Sequence, residues 1–482
     1  MTLTDKLKMM KPPQVFNSRM VTRTDSYKLN HWDMLPPNTK YVYSYLEARE
    51  GATHDDIVFF GMQYFLKRYL QGVQVTQDDI EYGSNLTHGH LGDKKLFNRA
   101  AWQRIIDVHG GALPLRIKSI PEGTVTPPST ALVTVVNTDP GVGEIMGAIV
   151  GHLETTLSHL WYPCTVASLS RHIKKMQKEY LARTSDSMDL INFQLHDFGF
   201  RGASCLEAAA IGGAAHLVNS NGTDTIVGME LVNQYYGANL NNLAYSVPAT
   251  EHSIMTSMGV AGEKQLFKDQ LLKYPNGILS IVIDSYNWRR FIGEYAREFK
   301  DIILARNGKL VFRPDSGVPV DVTLEAMGLL ADIFGTRTYK TFRILNPKVG
   351  MLWGDGIECA GINQILWNLE NNAWSTSNIV FGMGGGLLQK VNRDTERFAF
   401  KSSAQCRDWI WYDIFKDPID KSKSSKRGRL YVNCMDGKYV TMQNQDPTGK
   451  DHPLDELKVV FEDGILYNET TFDEVRKRAE LK

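Results

Sequence analysis

Ile281-Val282-Ile283 runs into Asp284-Ser285, Leu310-Val311-Phe312 into Arg313-Pro314-Asp315-Ser316-Gly317, Met351-Leu352-Trp353 into Gly354-Asp355-Gly356, and Ile379-Val380-Phe381 into Gly382-Met383-Gly384-Gly385-Gly386. Short, continuous apolar runs suit parallel strands buried on both faces. The polar residues just past them then share one rim, the C-terminal end of the strands, where α/β barrels carry their chemistry. That rim offers carboxylates, a guanidinium and bare backbone amides. Carboxylates serve hydroxyls or Mg²⁺, an arginine fork serves phosphate oxygens, and glycines let N–H groups reach an anion, so the set suits a sugar phosphate.

Outward from this stretch, strand-then-helix units recur from Ile191-Asn-Phe-Gln-Leu to about Leu388. Upstream, Ile145, Ile149, Leu153, Leu157 and Leu160 recur at helical spacing, and a second helix is expected from about Ser168 to Leu181. Before these, Tyr41-Val-Tyr-Ser-Tyr-Leu-Glu, Leu115-Arg-Ile-Lys-Ser-Ile and Ala131-Leu-Val-Thr-Val-Val read as strands and Phe59 to Leu70 as a helix. Past about Lys401, Leu430-Tyr-Val-Asn and Lys438-Tyr-Val-Thr-Met flank Asp436-Gly437 as a hairpin, and Val459-Val-Phe-Glu-Asp-Gly-Ile-Leu-Tyr repeats the device. The expected architecture is an α/β barrel over 166–399, beside a β-rich α+β domain built from 1–165 and 400–482. A basic loop, Lys421 to Arg429, lies in the second segment.

Over 482 residues, Lys plus Arg and Asp plus Glu are equal at 54 each, so overall charge gives no reason to expect nucleic acid or a membrane surface as partner. Cys164, Cys205, Cys359, Cys406 and Cys434 are scattered and form no CxxC pair, which points to a reduced, cytoplasmic protein without a zinc cluster. The first residues lack an apolar core of the signal-peptide kind, and no long apolar run suits a membrane span. Walker A, opening GxGxxG and HExxH patterns do not occur, leaving P-loop, Rossmann and zincin readings without support.

Three more clusters stand on the units before Ile278. In His196-Asp-Phe-Gly-Phe-Arg-Gly202, Phe198 offers a π face to a flat ring and Arg201 a fork to a phosphate. Asp224 in Gly222-Thr-Asp-Thr is by default a cap or turn residue; aimed at a pocket, it would accept from an NH₂ group and repel a carboxylate. Tyr245-Ser-Val-Pro-Ala-Thr-Glu251-His252-Ser253 puts an acid beside an imidazole.

These motifs, with Thr24-Asp-Ser-Tyr-Lys28 and Gly384-Gly-Gly-Leu-Leu-Gln-Lys390, run in order along nearly the whole chain and resemble the nicotinamide phosphoribosyltransferases of the type II phosphoribosyltransferase family. The resemblance implies an irregular α/β barrel beside a β-rich domain, and a homodimer with sites at the interface. It implies nicotinamide, phosphoribosyl pyrophosphate and ATP as substrates, with Mg²⁺ as cofactor. Phe198 and the other subunit's Tyr27 would sandwich the pyridine ring, Asp224 would meet the carboxamide, and Arg313 would lie near the ring. Asp315, Gly354 and Asp355 would hold the ribose, and Arg201, Gly384 and Gly385 the 5′-phosphate. Arg393, Lys401 and Lys423 would meet phosphates across the interface. His252 would be phosphorylated by ATP, with Glu251, Asp284 and Asp315 nearest Mg²⁺. Two departures stand out: Phe200 where the family commonly has tyrosine, and Ala399 where a serine commonly precedes the interface lysine.

Overall fold

A computed structural model describes residues 17–141, 147–419, 424–446 and 450–481. The four apolar runs form the strands Leu279–Val282, Leu310–Arg313, Val349–Trp353 and Ile379–Met383, and Leu195–Asp197 and Gly222–Thr223 join them in one parallel sheet. In space the order runs from Gly222–Thr223 through Leu195–Asp197, Ile379–Met383, Val349–Trp353 and Leu310–Arg313 to Leu279–Val282. Ile281, Ile283, Leu310, Phe312, Ile379 and Phe381 are all fully buried, as strands covered on both faces require.

An extended segment bridges the gap between the outer strands. Tyr245 forms a parallel bridge with Gly222, and Ala249 one with Ser280. The Thr223 N–H donates to the Tyr245 carbonyl at 3.1 Å, and the Ser280 N–H to the Pro248 carbonyl at 2.9 Å. The sheet therefore curls into an irregular barrel, and Pro248, which has no N–H to give, explains why this member forms isolated bridges and no continuous ladder.

A second sheet is antiparallel, with spatial order Ile410–Asp413, Phe398–Arg407, Thr39–Ala48, Ala131–Asn137, Leu115–Ser119, Lys458–Glu462 and Ile465–Leu466. Strands from the two ends of the chain thus interleave. Both Asp-Gly hairpins form: Asp436 and Gly437 have φ 50° and 76°, and Asp463 and Gly464 have φ 48° and 85°, the positive pair that a tight two-residue turn needs.

The helix expected over Phe59 to Leu70 forms as Met62–Tyr69, and two further boundaries differ from the sequence expectation. Residues 191–193 do not open a strand: Asp189–Asn192 is a 3-10 turn, because the Asn192 carbonyl is taken by the Asn221 N–H at 2.8 Å, and the strand begins at Leu195. The helix expected from Ser168 begins at Trp161 and runs to Thr184, with Pro163 tolerated in its first turn. It packs against Leu206–His216 and against the short Ile57–Val58 strand, which pairs with Val125–Thr126 apart from the large antiparallel sheet. The helix before it spans Ala148–Ser158; Ile145 lies outside the described residues. Among the described residues no helix is long and apolar enough to cross a membrane.

Two core histidines tie stability to pH. His216 pairs through Nδ1 with the Ser170 hydroxyl at 2.9 Å and through Nε2 with the Gly222 carbonyl at 3.1 Å, and burial pushes its pKa down to about 3. His152, 2.8 Å from the Met20 carbonyl, is pushed down to about 4 by burial. An unfolded imidazole takes its proton near pH 6.5, so both stabilise the fold fully above that pH and lose the contribution as pH falls through the folded values. At pH 5 each is expected to have lost about 2 kcal/mol. Asp197 and Glu122, pushed upward by burial, shift stability the other way. The clean measurement is therefore the pH 5 to 7.5 difference in urea-denaturation free energy, which should shrink by about 2 kcal/mol in His216→Gln.

Candidate active site

The C-terminal rim of the barrel opens into a cavity of about 650 Å³ lined by Phe198, Arg201, Glu251, His252, Asp284, Arg313, Asp315, Gly354, Asp355, Gly384 and Gly385. Each strand of the opening pattern delivers its polar residue here. Arg313 ends its strand and turns Nε onto Asp315 Oδ2 at 2.9 Å, with only 15% and 14% of the two side chains exposed. Burial pushes the Asp315 carboxyl up, against the pull of Arg313, and Asp284 adds to the rise. Asp315 Oδ1 is buried without a hydrogen-bond partner, an acceptor left for a ligand. Asp284 is nearly covered and takes His252 Nε2 on Oδ1 at 3.1 Å, while half of the His252 side chain stays exposed to the cavity. The Ser253 hydroxyl donates to Glu251.

Phe198 sits where bare backbone lets it. Its N–H donates to the Met383 carbonyl at 3.0 Å, and a Cβ on Gly382 would lie 2.0 Å from the ring. Gly382→Ala is therefore expected to drive the ring from its place at a cost of about 1–3 kcal/mol, measured by urea denaturation. A Cβ on Gly354 would reach the same ring at 3.3 Å.

Phe198 and Arg313 also line a second, more apolar cavity of about 430 Å³, together with Phe193, His196, Asp224, Tyr245, Ser246 and Lys309. The ring and the guanidinium thus stand at the junction of a polar chamber and an apolar one. Asp224 is not a helix cap here: its Oδ1 accepts from the Ser246 hydroxyl, and its N–H donates to the Asp197 carbonyl at 2.9 Å. Sequence reasoning missed Ser246, His196 and Lys309 as lining residues. Ser246 was legible only once the Pro-containing segment was known to close the barrel. Burial lowers the Lys309 pKa.

Tyr27, Arg393 and Lys401 line neither cavity of this chain. Tyr27 is 59% exposed on the Ser26–Asp33 turn, with its ring 5.1 Å from His31. Lys401 lies on Phe398–Arg407; burial lowers its pKa against the pull of Glu154, and Arg49, Arg393 and Lys416 add to the lowering, so four bases gather near one acid. Lys423 falls outside the described residues. Among the described residues no group of three or more His, Cys, Asp or Glu side chains is arranged as a metal cage.

A parallel barrel whose rim carries phosphate-suited glycines and arginines, opening beside an aromatic chamber, defines a phosphoribosyltransferase. The fold agrees with solved structures: nicotinate-nucleotide pyrophosphorylase from Pyrococcus furiosus superposes with TM-score 0.58 at 15% identity, covering 98% of this chain and 97% of that one. Human nicotinic acid phosphoribosyltransferase gives 0.56 at 14% identity, over 95% and 92%. The nicotinate phosphoribosyltransferase (NAPRTase) family model matches residues 193–465, and the nicotinamide phosphoribosyltransferase N-terminal domain matches 19–117. The nicotinamide phosphoribosyltransferase of Xanthomonas campestris pv. campestris (strain 8004) is 40% identical over 470 residues, 96% of this chain and 98% of that protein. That of Acinetobacter baylyi (strain ATCC 33305 / BD413 / ADP1) is 32% identical over 501 residues, 96% and 97%. The chain belongs to the nicotinamide phosphoribosyltransferase family.

Proposed function

We propose that this enzyme transfers phosphoribosyl from phosphoribosyl pyrophosphate to nicotinamide, giving nicotinamide mononucleotide and pyrophosphate in NAD salvage. The observation that carries the choice of base is Asp224, a carboxylate held by Ser246 in the apolar chamber that Phe198 and Arg313 share with the polar one. A carboxamide NH₂ can donate to it, whereas the carboxylate of nicotinate meets like charge.

The pyridine nitrogen carries its own lone pair and has no proton to lose, so no general base is required. Its lone pair forms the bond to ribose C1′ as the bond from C1′ to pyrophosphate oxygen breaks, and that oxygen keeps the electron pair. The chain's task is to align the reactants and to stabilise the positive ribosyl centre and the leaving anion. Phe198 presents its face to the ring that becomes cationic, worth about 0.5–2 kcal/mol. Asp315 and Asp355 face the ribose, and Arg201 with the Gly384-Gly385 amides faces the 5′-phosphate.

Mg²⁺ characteristically takes one or two carboxylates and completes its shell with waters and substrate phosphates, so the partnerless Asp315 Oδ1 and the adjacent Asp284 fit it without a protein cage. Bound there, it would neutralise charge on pyrophosphate. We also propose that His252, half exposed and held by Asp284, takes a phosphoryl group from ATP and couples hydrolysis to synthesis. A homodimer would bring Tyr27 and the bases Arg393 and Lys401 to the neighbouring site. The five cysteines are free, in keeping with a cytoplasmic setting.

Purified protein given labelled nicotinamide, phosphoribosyl pyrophosphate, Mg²⁺ and ATP should form labelled mononucleotide; a nucleotide-binding module on this scaffold would form none. His252→Ala should keep part of the synthesis and lose stimulation by ATP. Stimulation equal to the parent's would remove His252 from the coupling.

A further inference from the structure

Asp197 lies between two residues that face the apolar chamber, His196 and Phe198, yet itself points the other way. It is fully buried, and its Oδ2 would lie 3.4 Å from a Cβ on Gly213, on the helix Leu206–His216. Its Oδ1 accepts the Gly199 N–H at 2.7 Å, which fixes the turn carrying Phe198 and Arg201. Its carbonyl accepts the Asp224 N–H at 2.9 Å, which fixes the neighbouring turn. Oδ2 and the nearby Thr225 hydroxyl lie close enough for Thr225 to favour the charged carboxylate, yet they form no well-aligned hydrogen bond, so Oδ2 is only weakly satisfied.

Such a group is costly for the fold. Burial pushes the carboxyl up to about 6 against the pull of Gly199 and Thr225, and Asp224 adds to the rise. A partly satisfied buried acid is worth less to stability than a well-packed apolar side chain of similar size. Stability therefore does not explain an aspartate here; geometry at the rim does.

We infer that Asp197 is the positioning residue of the base site, its carboxylate setting the Phe198–Arg201 turn while its main chain sets Asp224. The inference rests on the nicotinamide reading above. It separates two variants of the same branched shape. Asp197→Leu keeps the branched shape and heavy-atom count, though with bulkier methyls, and removes the acceptor, so the Gly199 N–H is released. Asp197→Asn keeps an oxygen for Gly199 and offers an NH₂ to the Thr225 hydroxyl.

In steady-state kinetics on the full-length enzyme, Asp197→Leu should raise KM for nicotinamide about tenfold or more, with kcat within about threefold. Asp197→Asn should restore KM to within about threefold of the parent. Unchanged KM in the Leu variant, a kcat loss without a KM change, or an Asn variant as impaired as Leu would each overturn the inference. If Asp197→Leu does not fold, Asp197→Ala takes its place with the same expected KM. Calorimetry with ribose 5-phosphate, whose phosphate Arg201 faces in this reading, needs no base. Weaker binding in the Leu variant, restored in Asn, supports the turn's role even if the parent ignores nicotinamide, and unchanged binding contradicts it.

Discussion

Asp224→Ser should turn the enzyme's preference from nicotinamide toward nicotinate. The carboxylate lines an apolar chamber and keeps one oxygen on Ser246. Losing a charged acceptor for the carboxamide is expected to lower kcat/KM for nicotinamide by about 10- to 100-fold. Removing the like charge should raise kcat/KM for nicotinate, so the ratio of the two moves by about 100-fold or more. Steady-state assays with each base read this directly. An unchanged ratio would take Asp224 out of base selection.

Arg313→Ala is expected to have the largest effect on turnover. Arg313 touches both chambers and is the partner of Asp315, a mostly buried acid whose other oxygen already lacks one. Removing one member of a buried pair costs about 3–5 kcal/mol in general, which urea denaturation would measure. In the reaction, the same truncation removes the guanidinium at the junction of the two chambers, and a loss of about 1,000-fold in kcat/KM, or about 4 kcal/mol, is expected. Arg313→Lys should rescue little, because a point ammonium cannot reproduce a planar fork. A loss below about tenfold in Arg313→Ala would mean that the junction of the chambers is not the reacting centre.

Much of this site was legible because strand ends convert sequence spacing into spatial neighbourhood. Asp284, Arg313, Asp315, Asp355 and Gly384 are far apart in the chain, yet each follows an apolar run of a parallel sheet, so they share one rim. Phe198 and Arg201 followed from the same logic. What stayed hidden depends on closure and on packing across the barrel. The Tyr245 to Thr250 segment makes only two bridges, so neither length nor alternation marks it as a barrel member, and Ser246 was not recognised as the partner of Asp224. Asp197 read as part of a motif, but the direction of its side chain is set by a register that no local pattern encodes. The start of the first barrel strand was misplaced for a related reason: Asn192 gives its carbonyl to a residue of the next unit.

The departures from the family pattern acquire a physical setting. Phe200 stands in the Phe200–Gly202 turn beside Arg201, outside the residues lining either chamber, so the missing hydroxyl leaves the chamber walls as described. Ala399 precedes Phe400 and Lys401 on the strand paired with Thr39–Ala48, opposite Glu47, and places no side-chain hydroxyl beside the neighbouring bases.

The most direct test of the central claim is a side-by-side measurement of kcat/KM for nicotinamide and nicotinate, using labelled bases, phosphoribosyl pyrophosphate, Mg²⁺ and the unmodified enzyme. The geometry of Asp224 in the apolar chamber calls for nicotinamide to be favoured by at least about 100-fold. Equal use of the two bases, or preference for nicotinate, would contradict the account.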